Sequence, residues 1–249
     1  MIISTDGIVL RTFDYRETSK IATFFTRDQG KISGVMKGIR KDPRKFGSSV
    51  DRFSVNGLVY YEYRNSNLHL ISQCDLKQYF FKLREVYRKN VAANYSLELV
   101  DVIMPVESPN KEIYDLMLDY FNTLEVSDDI DKLVHAFQIK VLLHSGFRPH
   151  IDSCVKCGKK VGGKVRFSMR LGGLICERCP TRETSFVIVS RGAIASMLFI
   201  ESHKWDQCIK LKLHKNIQQE LKFILNNFLV YHLEKRIRSL KFLMAKGAL

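Results

Sequence analysis

Two C-x2-C turns separated by eighteen residues, Cys154/Cys157 and Cys176/Cys179, constrain this chain more than any other feature. Each turn points two thiolates at one ion, and Gly158 supplies the residue without a β-carbon that a tight knuckle needs. Paired knuckles close an all-thiolate tetrahedral shell with no open coordination position, so the spacing predicts one structural Zn2+ on Cys154, Cys157, Cys176 and Cys179. A pair of disulfides, or a redox-active C-x-x-C of the thioredoxin kind, is the competing reading. The start MIISTDG lacks the charged and apolar regions of a signal peptide, and runs such as Ala195 to Ile200 are far too short to span a bilayer. The expectation is a cytoplasmic protein without membrane contact, and in a reducing compartment clustered thiols favour metal over disulfide. Among the histidines only His150, four residues before Cys154, is placed to compete as a ligand, and Cys74 and Cys208 read as small buried residues.

The 249 residues carry 40 Lys and Arg against 26 Asp and Glu, a net +14, which points to an anionic partner, nucleic acid first. The charge is uneven. From Glu98 to Asp131 ten acids face one base, Lys111, a net −9 that leaves +23 on the remainder. Such a stretch is expected to face away from a phosphate backbone.

Residues 1 to 80 read as five short strands: Ile2 to Leu10, Ile21 to Thr26, Ile32 to Met36, Val55 to Tyr63 and Leu68 to Leu76. Arg27 to Gly30 and Arg64 to Asn67 read as hairpin turns, and Lys37 to Asp51 is the longest loop. A five-stranded barrel of this size fits the OB-fold, whose strands and loops hold single-stranded nucleic acid. From Lys82 the spacing becomes helical up to Pro105, with further helices over 111–124 and 128–146, from Ser190 to Ile200, and over 216–242. The fold class is therefore α+β and multidomain: an OB-fold barrel over 1–80, a helical domain over 81–149 and 186–249, and a zinc module inserted at 150–185. The helices on either side of the module are expected to form one bundle.

Lys20, Arg27, Lys31, Lys37, Arg40, Lys41, Arg44 and Lys45 concentrate positive charge on the barrel and its long loop, against only Asp28 and Asp42. This segment is the first choice for phosphate contact. Phe24, Phe25, Phe46, Phe53, Tyr60, Tyr61 and Tyr63 interleave with it; some can stack bases, but half the rings of alternating strands must point inward. A second stripe, Lys235, Arg236, Arg238, Lys241 and Lys246, has spacing that puts Lys235, Arg238 and Lys241 on one helix face. Lys156, Lys159, Lys160, Lys164, Arg166 and Arg170 add charge to the cysteine module, for nucleic acid or for solubility alone. There is no phosphate-loop, dinucleotide-binding or H-E-x-x-H motif, and no H-x-E upstream of the cysteines, so the expectation is a binding protein and not an enzyme. An RNA-binding factor of the same construction is the alternative, and a zinc-dependent nuclease or deaminase is disfavoured.

Three stretches carry a family resemblance. The first runs Gly7-Ile8-Val9-Leu10 through Tyr15, Glu17 and Ser19 to Phe25-Thr26-Arg27, Gly30-Lys31 and Lys37-Gly38-Ile39-Arg40. The second is Leu142 to Pro149 leading into Cys154 to Gly158 and Gly173 to Cys179, and the third is Tyr231 to Leu243. In order, they resemble the RecO family of bacterial recombination mediators across nearly the whole chain. The resemblance implies an OB-fold followed by a helical domain carrying the zinc module. It implies binding of single- and double-stranded DNA, annealing of complementary strands, and a cytoplasmic, nucleoid-associated location. It implies partnership with RecR and with the acidic C-terminal tail of the single-strand binding protein, in loading RecA onto gapped DNA. By motif position Arg27, Lys31, Lys37, Arg40, Lys41, Arg44 and Lys45 inherit the DNA-contact role, although Asp42-Pro43 interrupts the basic run where the family pattern continues it.

Overall fold

The computed structural model describes residues 1–42, 46, 50–63, 65–162, 165–180, 186–233 and 236–244. The chain forms two compact units, residues 1–128 with 241–249, and residues 129–240.

The first unit is built on β1 (Ile2–Tyr15), β2 (Ser19–Thr26), β3 (Gly30–Met36), β4 (Ser54–Tyr61) and β5 (Leu68–Tyr79). They close into a barrel in the order β1-β2-β3-β5-β4, with β3 and β5 parallel and the other pairs antiparallel. β1 shifts register between Val9 and Arg11, so its first half pairs with β4 and its second half with β2. A long strand serving two neighbours in this way lets a five-stranded sheet meet itself. The barrel core holds Val9, Phe24, Ile32, Leu58, Tyr60, Ile71 and Cys74, joined by Ile39, Phe46 and Val50 from the β3–β4 connection. That connection thus sends apolar residues inward, and Phe46 is core and not a base-stacking ring.

β2 is buried along both faces, because helices cover its outer side. These are α1 (Lys82–Glu85), α2 (Tyr87–Ile103) and α3 (Lys111–Val126). Val86 adopts an extended backbone and breaks what the spacing reads as one helix into α1 and α2. Asn110 caps α3 by accepting the Ile113 N–H at 2.9 Å. Phe121 of α3 meets Phe80 and Phe53 with ring centroids 5.2 and 6.3 Å away, and Tyr114 meets Phe25 at 6.4 Å. The α2–α3 loop adds to the barrel directly: Val106 bridges Lys31, and the Glu107 N–H donates to the Lys31 carbonyl at 3.0 Å. Gly30 has φ +69°, and a β-carbon there would lie 2.4 Å from the Ser108 backbone, so both the hairpin and this loop require glycine.

The second unit contains α4 (Ile130–His144), the antiparallel sheet β7-β6-β8, and α5 to α7. The strands are β6 (Val165–Ser168), β7 (Gly173–Ile175) and β8 (Phe186–Val189); the helices are α5 (Arg191–Ser202), α6 (Trp205–Cys208) and α7 (Lys215–His232). α4 is buried on nearly every side between α5 and α7. Gln138 donates to Asn226 at 3.0 Å across its core, and the Lys140 ammonium donates to the Glu201 carbonyl at 3.1 Å at the end of α5. The sheet joins α7 through Phe167 and Phe228, centroids 6.1 Å apart, and through the His232 ring at 2.8 Å from the Met169 carbonyl. Two expectations are corrected here. The helices divide between the two units: α2 and α3 are held to the barrel by the aromatic contacts above, whereas α4, α5 and α7 pack on one another and α7 carries the sheet of the cysteine module. Helix α7 stops at His232 with Leu233 extended, and α8 (Leu240–Met244) starts afresh, so Arg238 and Lys241 do not continue its face. Lys235 and Lys246 lie outside the described residues. Among the described residues no helix is long and apolar enough to cross a membrane.

Candidate functional site

Two places concentrate chemistry, one in each unit. In the second unit the ligand atoms of Cys154, Cys157, Cys176 and Cys179 all lie within 4.8 Å of one another. Of the separations that cross between the knuckles, Cys154–Cys179 is 3.9 Å and Cys157–Cys176 is 3.8 Å. A tetrahedral tetrathiolate site with metal–sulfur bonds of about 2.3 Å has sulfur–sulfur edges of about 3.8 Å. The donor set and the spacing therefore fit a four-coordinate metal, and all four cysteines are free thiols.

The backbone accounts for this geometry. The Gly158 N–H donates to the Cys154 carbonyl at 2.8 Å with Gly158 at φ +70°, and the Cys154 N–H donates to the Lys159 carbonyl at 2.9 Å, which turns the first knuckle. The Val155 N–H donates to Leu174 and the Leu174 N–H to His150, stitching that knuckle to β7. Gly173 is needed there, since a β-carbon would fall 2.5 Å from the His150 carbonyl. Burial raises the Cys154 thiol pKa, but backbone N–H groups of Cys176, Cys157 and Lys156 directed at its sulfur outweigh this and hold it down at about 6. A thiolate is thus favoured at Cys154, whereas hydrogen bonding with the sulfurs of Cys176 and Cys157 pushes the Cys179 thiol up to about 12. His150 is turned away, its Nε2 2.6 Å from the Ser153 hydroxyl.

One organising residue was not singled out by the sequence. Arg166 of β6 donates from one guanidinium nitrogen to the carbonyls of Cys176 at 2.9 Å and Cys179 at 3.0 Å, which ties the second knuckle to the sheet. In the sequence it reads only as one more base near the cysteines. Groups that orient metal ligands typically change metal affinity 10- to 100-fold when removed. Arg166→Ala is expected to weaken metal retention by roughly tenfold in chelator competition.

In the first unit the basic residues divide by burial. Lys31 is buried, its ammonium donating to the Asp101 carbonyl and pairing with the Asp101 carboxylate at 3.2 Å. Arg11 reaches the same carboxylate at 3.6 Å, Arg27 pairs with Asp115 at 3.3 Å, and Asp28 with Lys111 at 3.2 Å. Two expectations change accordingly. The acidic stretch does not simply face away: Asp101 and Asp115 lie against the barrel's cations, placed there by the packing of α2 and α3. Lys31, read from the sequence as a phosphate contact, is instead found buried, with the α2–α3 loop paired to its backbone. Lys31→Met is expected to cost about 1–3 kcal/mol in stability and to leave the salt dependence of nucleic-acid binding unchanged.

Lys37, Arg40 and Lys41 are exposed. They occupy a turn with Gly38 at φ +78°, and the Arg40 N–H donates to the Thr18 carbonyl at 2.9 Å, which folds the turn onto the β1–β2 hairpin. Arg16 sits in that hairpin with φ +54°, and Lys20 is opposite Met36 in the β2–β3 register. Arg16, Lys20, Lys37, Arg40 and Lys41 thus share one area of the barrel surface, with Asp14, Glu17 and Asp42 beside them. Arg16 lay outside the expected set because Tyr15-Arg16-Glu17-Thr18 has no glycine, proline or asparagine to mark a turn. The ion pair of Arg40 with Asp14 at 3.7 Å is exposed on both sides and yields easily to a competing anion. Arg44 and Lys45 lie outside the described residues. Of the candidate stacking rings, Phe24, Phe25, Phe53 and Tyr60 are buried, and only Tyr61 and Tyr63 are exposed.

The family model for the N-terminal part of Recombination protein O matches residues 1–80, and that for its C-terminal part matches residues 84–241. DNA repair protein RecO of Alkaliphilus metalliredigens is 28% identical over 236 residues, 94% of this chain and 95% of that protein. The protein of the same name from Symbiobacterium thermophilum is 29% identical over 246 residues, covering 97% and 96%. With a five-stranded barrel, a following helical part and clustered cysteines all in place, and both models matched in order, the chain belongs to the Recombination protein O (RecO) family.

Proposed function

We propose that this protein is a DNA-binding recombination mediator that anneals complementary strands. The observation that carries the reading is the group of exposed Arg16, Lys37, Arg40 and Lys41 with half-buried Lys20 on a barrel whose chain belongs to this family. Two single strands repel through their phosphates. A cationic surface that neutralises several phosphates on each lowers that repulsion, and base pairing then supplies the free energy of annealing. No covalent step is required. Tyr61 and Tyr63, exposed at and just beyond the end of β4, offer faces on which unpaired bases stack at roughly 1–3 kcal/mol each.

In this reading the metal is Zn2+, since a closed shell of four thiolates suits that ion and leaves no position for a reacting water. Its part is to hold β6, β7 and the knuckles in one fold. RecR, the acidic tail of the single-strand binding protein and the loading of RecA onto gapped DNA complete the proposal, in the bacterial cytoplasm at the nucleoid. The test is annealing of complementary oligonucleotides coated with single-strand binding protein. Acceleration that fades with salt supports the reading, and absence of both acceleration and DNA binding rejects it in favour of an RNA partner.

A further inference from the structure

We propose that the rim of the cysteine cluster is a second phosphate-binding surface, so that each unit of the chain holds nucleic acid and one chain can grip two strands. The short separation between the Cys157 and Cys176 sulfurs sets the two knuckles side by side, which places Lys159 and Lys160 of the first and Arg178 of the second on a common rim. All three are exposed, and none enters an ion pair among the described residues. Neighbouring cations are committed elsewhere. The Lys156 ammonium donates to the Pro180 carbonyl, and the Arg166 guanidinium to the carbonyls of Cys176 and Cys179.

A count of charge decides whether these cations merely offset the thiolates. Four thiolates on a divalent metal carry a net −2, and Glu177 adds one more negative charge. Lys156, Lys159, Lys160, Arg166 and Arg178 supply five positive charges, which leaves a surplus of two, carried by the exposed trio. The local shape suits a polyanion. Gly158 and Gly162 have open space where a side chain would stand, and residues 159–162 have no regular structure, so a phosphodiester can approach the backbone closely. Annealing needs two strands held at once, and three carboxylates dilute the basic area of the barrel. A second surface supplies what the first lacks.

This inference rests on the proposed DNA-binding function, and its test separates the two. Single-strand binding is measured over a range of salt for the full-length protein, for a Lys159→Gln/Lys160→Gln/Arg178→Gln variant and for a Lys37→Gln/Arg40→Gln/Lys41→Gln variant, with bound metal and melting followed in the same samples. Each lost contact flattens the log–log salt slope by about 0.7, so the rim variant is expected to lose up to about 2 from the slope. Its metal content and melting stay unchanged, and annealing slows more than binding of one strand weakens. A rim variant with wild-type slope and annealing, beside a barrel variant that has lost binding, overturns this inference alone. A wild-type protein with no salt-dependent binding overturns both. Should the triple variant shed metal, Lys159→Gln/Lys160→Gln leaves the second knuckle intact and is expected to flatten the slope by up to about 1.4; an unchanged slope there also overturns the inference.

Discussion

A variant with Cys154, Cys157, Cys176 and Cys179 all changed to serine melts at least about 10 °C below the parent in the transition of the unit that carries them. Zinc bound to small tetrathiolate modules is worth on the order of 10 kcal/mol in folding, because the unfolded chain offers no assembled site. Here part of that is replaceable, since β6 also packs Phe167 on Phe228 and the Gly172–Leu174 segment bonds to His150. Even half of it, at roughly 2–4 °C per kcal/mol for a chain of this size, gives the stated shift. Chelation of the wild-type protein reproduces the loss, and added Zn2+ restores it. Unchanged melting of the serine variant would show that the cysteines do not bind a structural metal.

Charge reversal at Lys37, Arg40 and Lys41 is expected to lower single-strand affinity at about 0.1 M salt by roughly 100-fold or more. About five phosphate contacts give a log–log slope near −3.5, and three fewer bring it to about −1.4. Because these side chains are exposed and the Arg40–Asp14 pair is itself weak and exposed, the folded barrel is left intact. Binding and melting measured together distinguish loss of contact from loss of fold. Unaltered affinity in a folded variant would remove this area from the DNA path.

What the sequence alone made legible follows from which signals are local. Five strands announce themselves through β-branched and aromatic runs, and their positions agree with β1 to β5 to within a few residues. The cysteine knuckles are equally local, since two turns fix four ligands whatever surrounds them. Lys31 illustrates the opposite case. Nothing adjacent to it distinguishes it from Lys37; its burial is decided by the loop around Val106, distant in sequence, and by Asp101 on α2. The same long-range packing turns the acidic stretch toward Arg11 and Arg27. Phe46 was ambiguous because a ring in a polar loop reads equally well as bait for a base or as a plug for the barrel, and only closure of the sheet decides. Arg166 belongs with these, as its role depends on carbonyls of a knuckle that begins ten residues later.

The measurement that bears most directly on the central claim is annealing of two complementary oligonucleotides coated with single-strand binding protein, with and without this protein. The predicted result is acceleration that declines as salt rises and is lost in the Lys37, Arg40 and Lys41 variant. No acceleration, together with no affinity for single-stranded DNA, would contradict it.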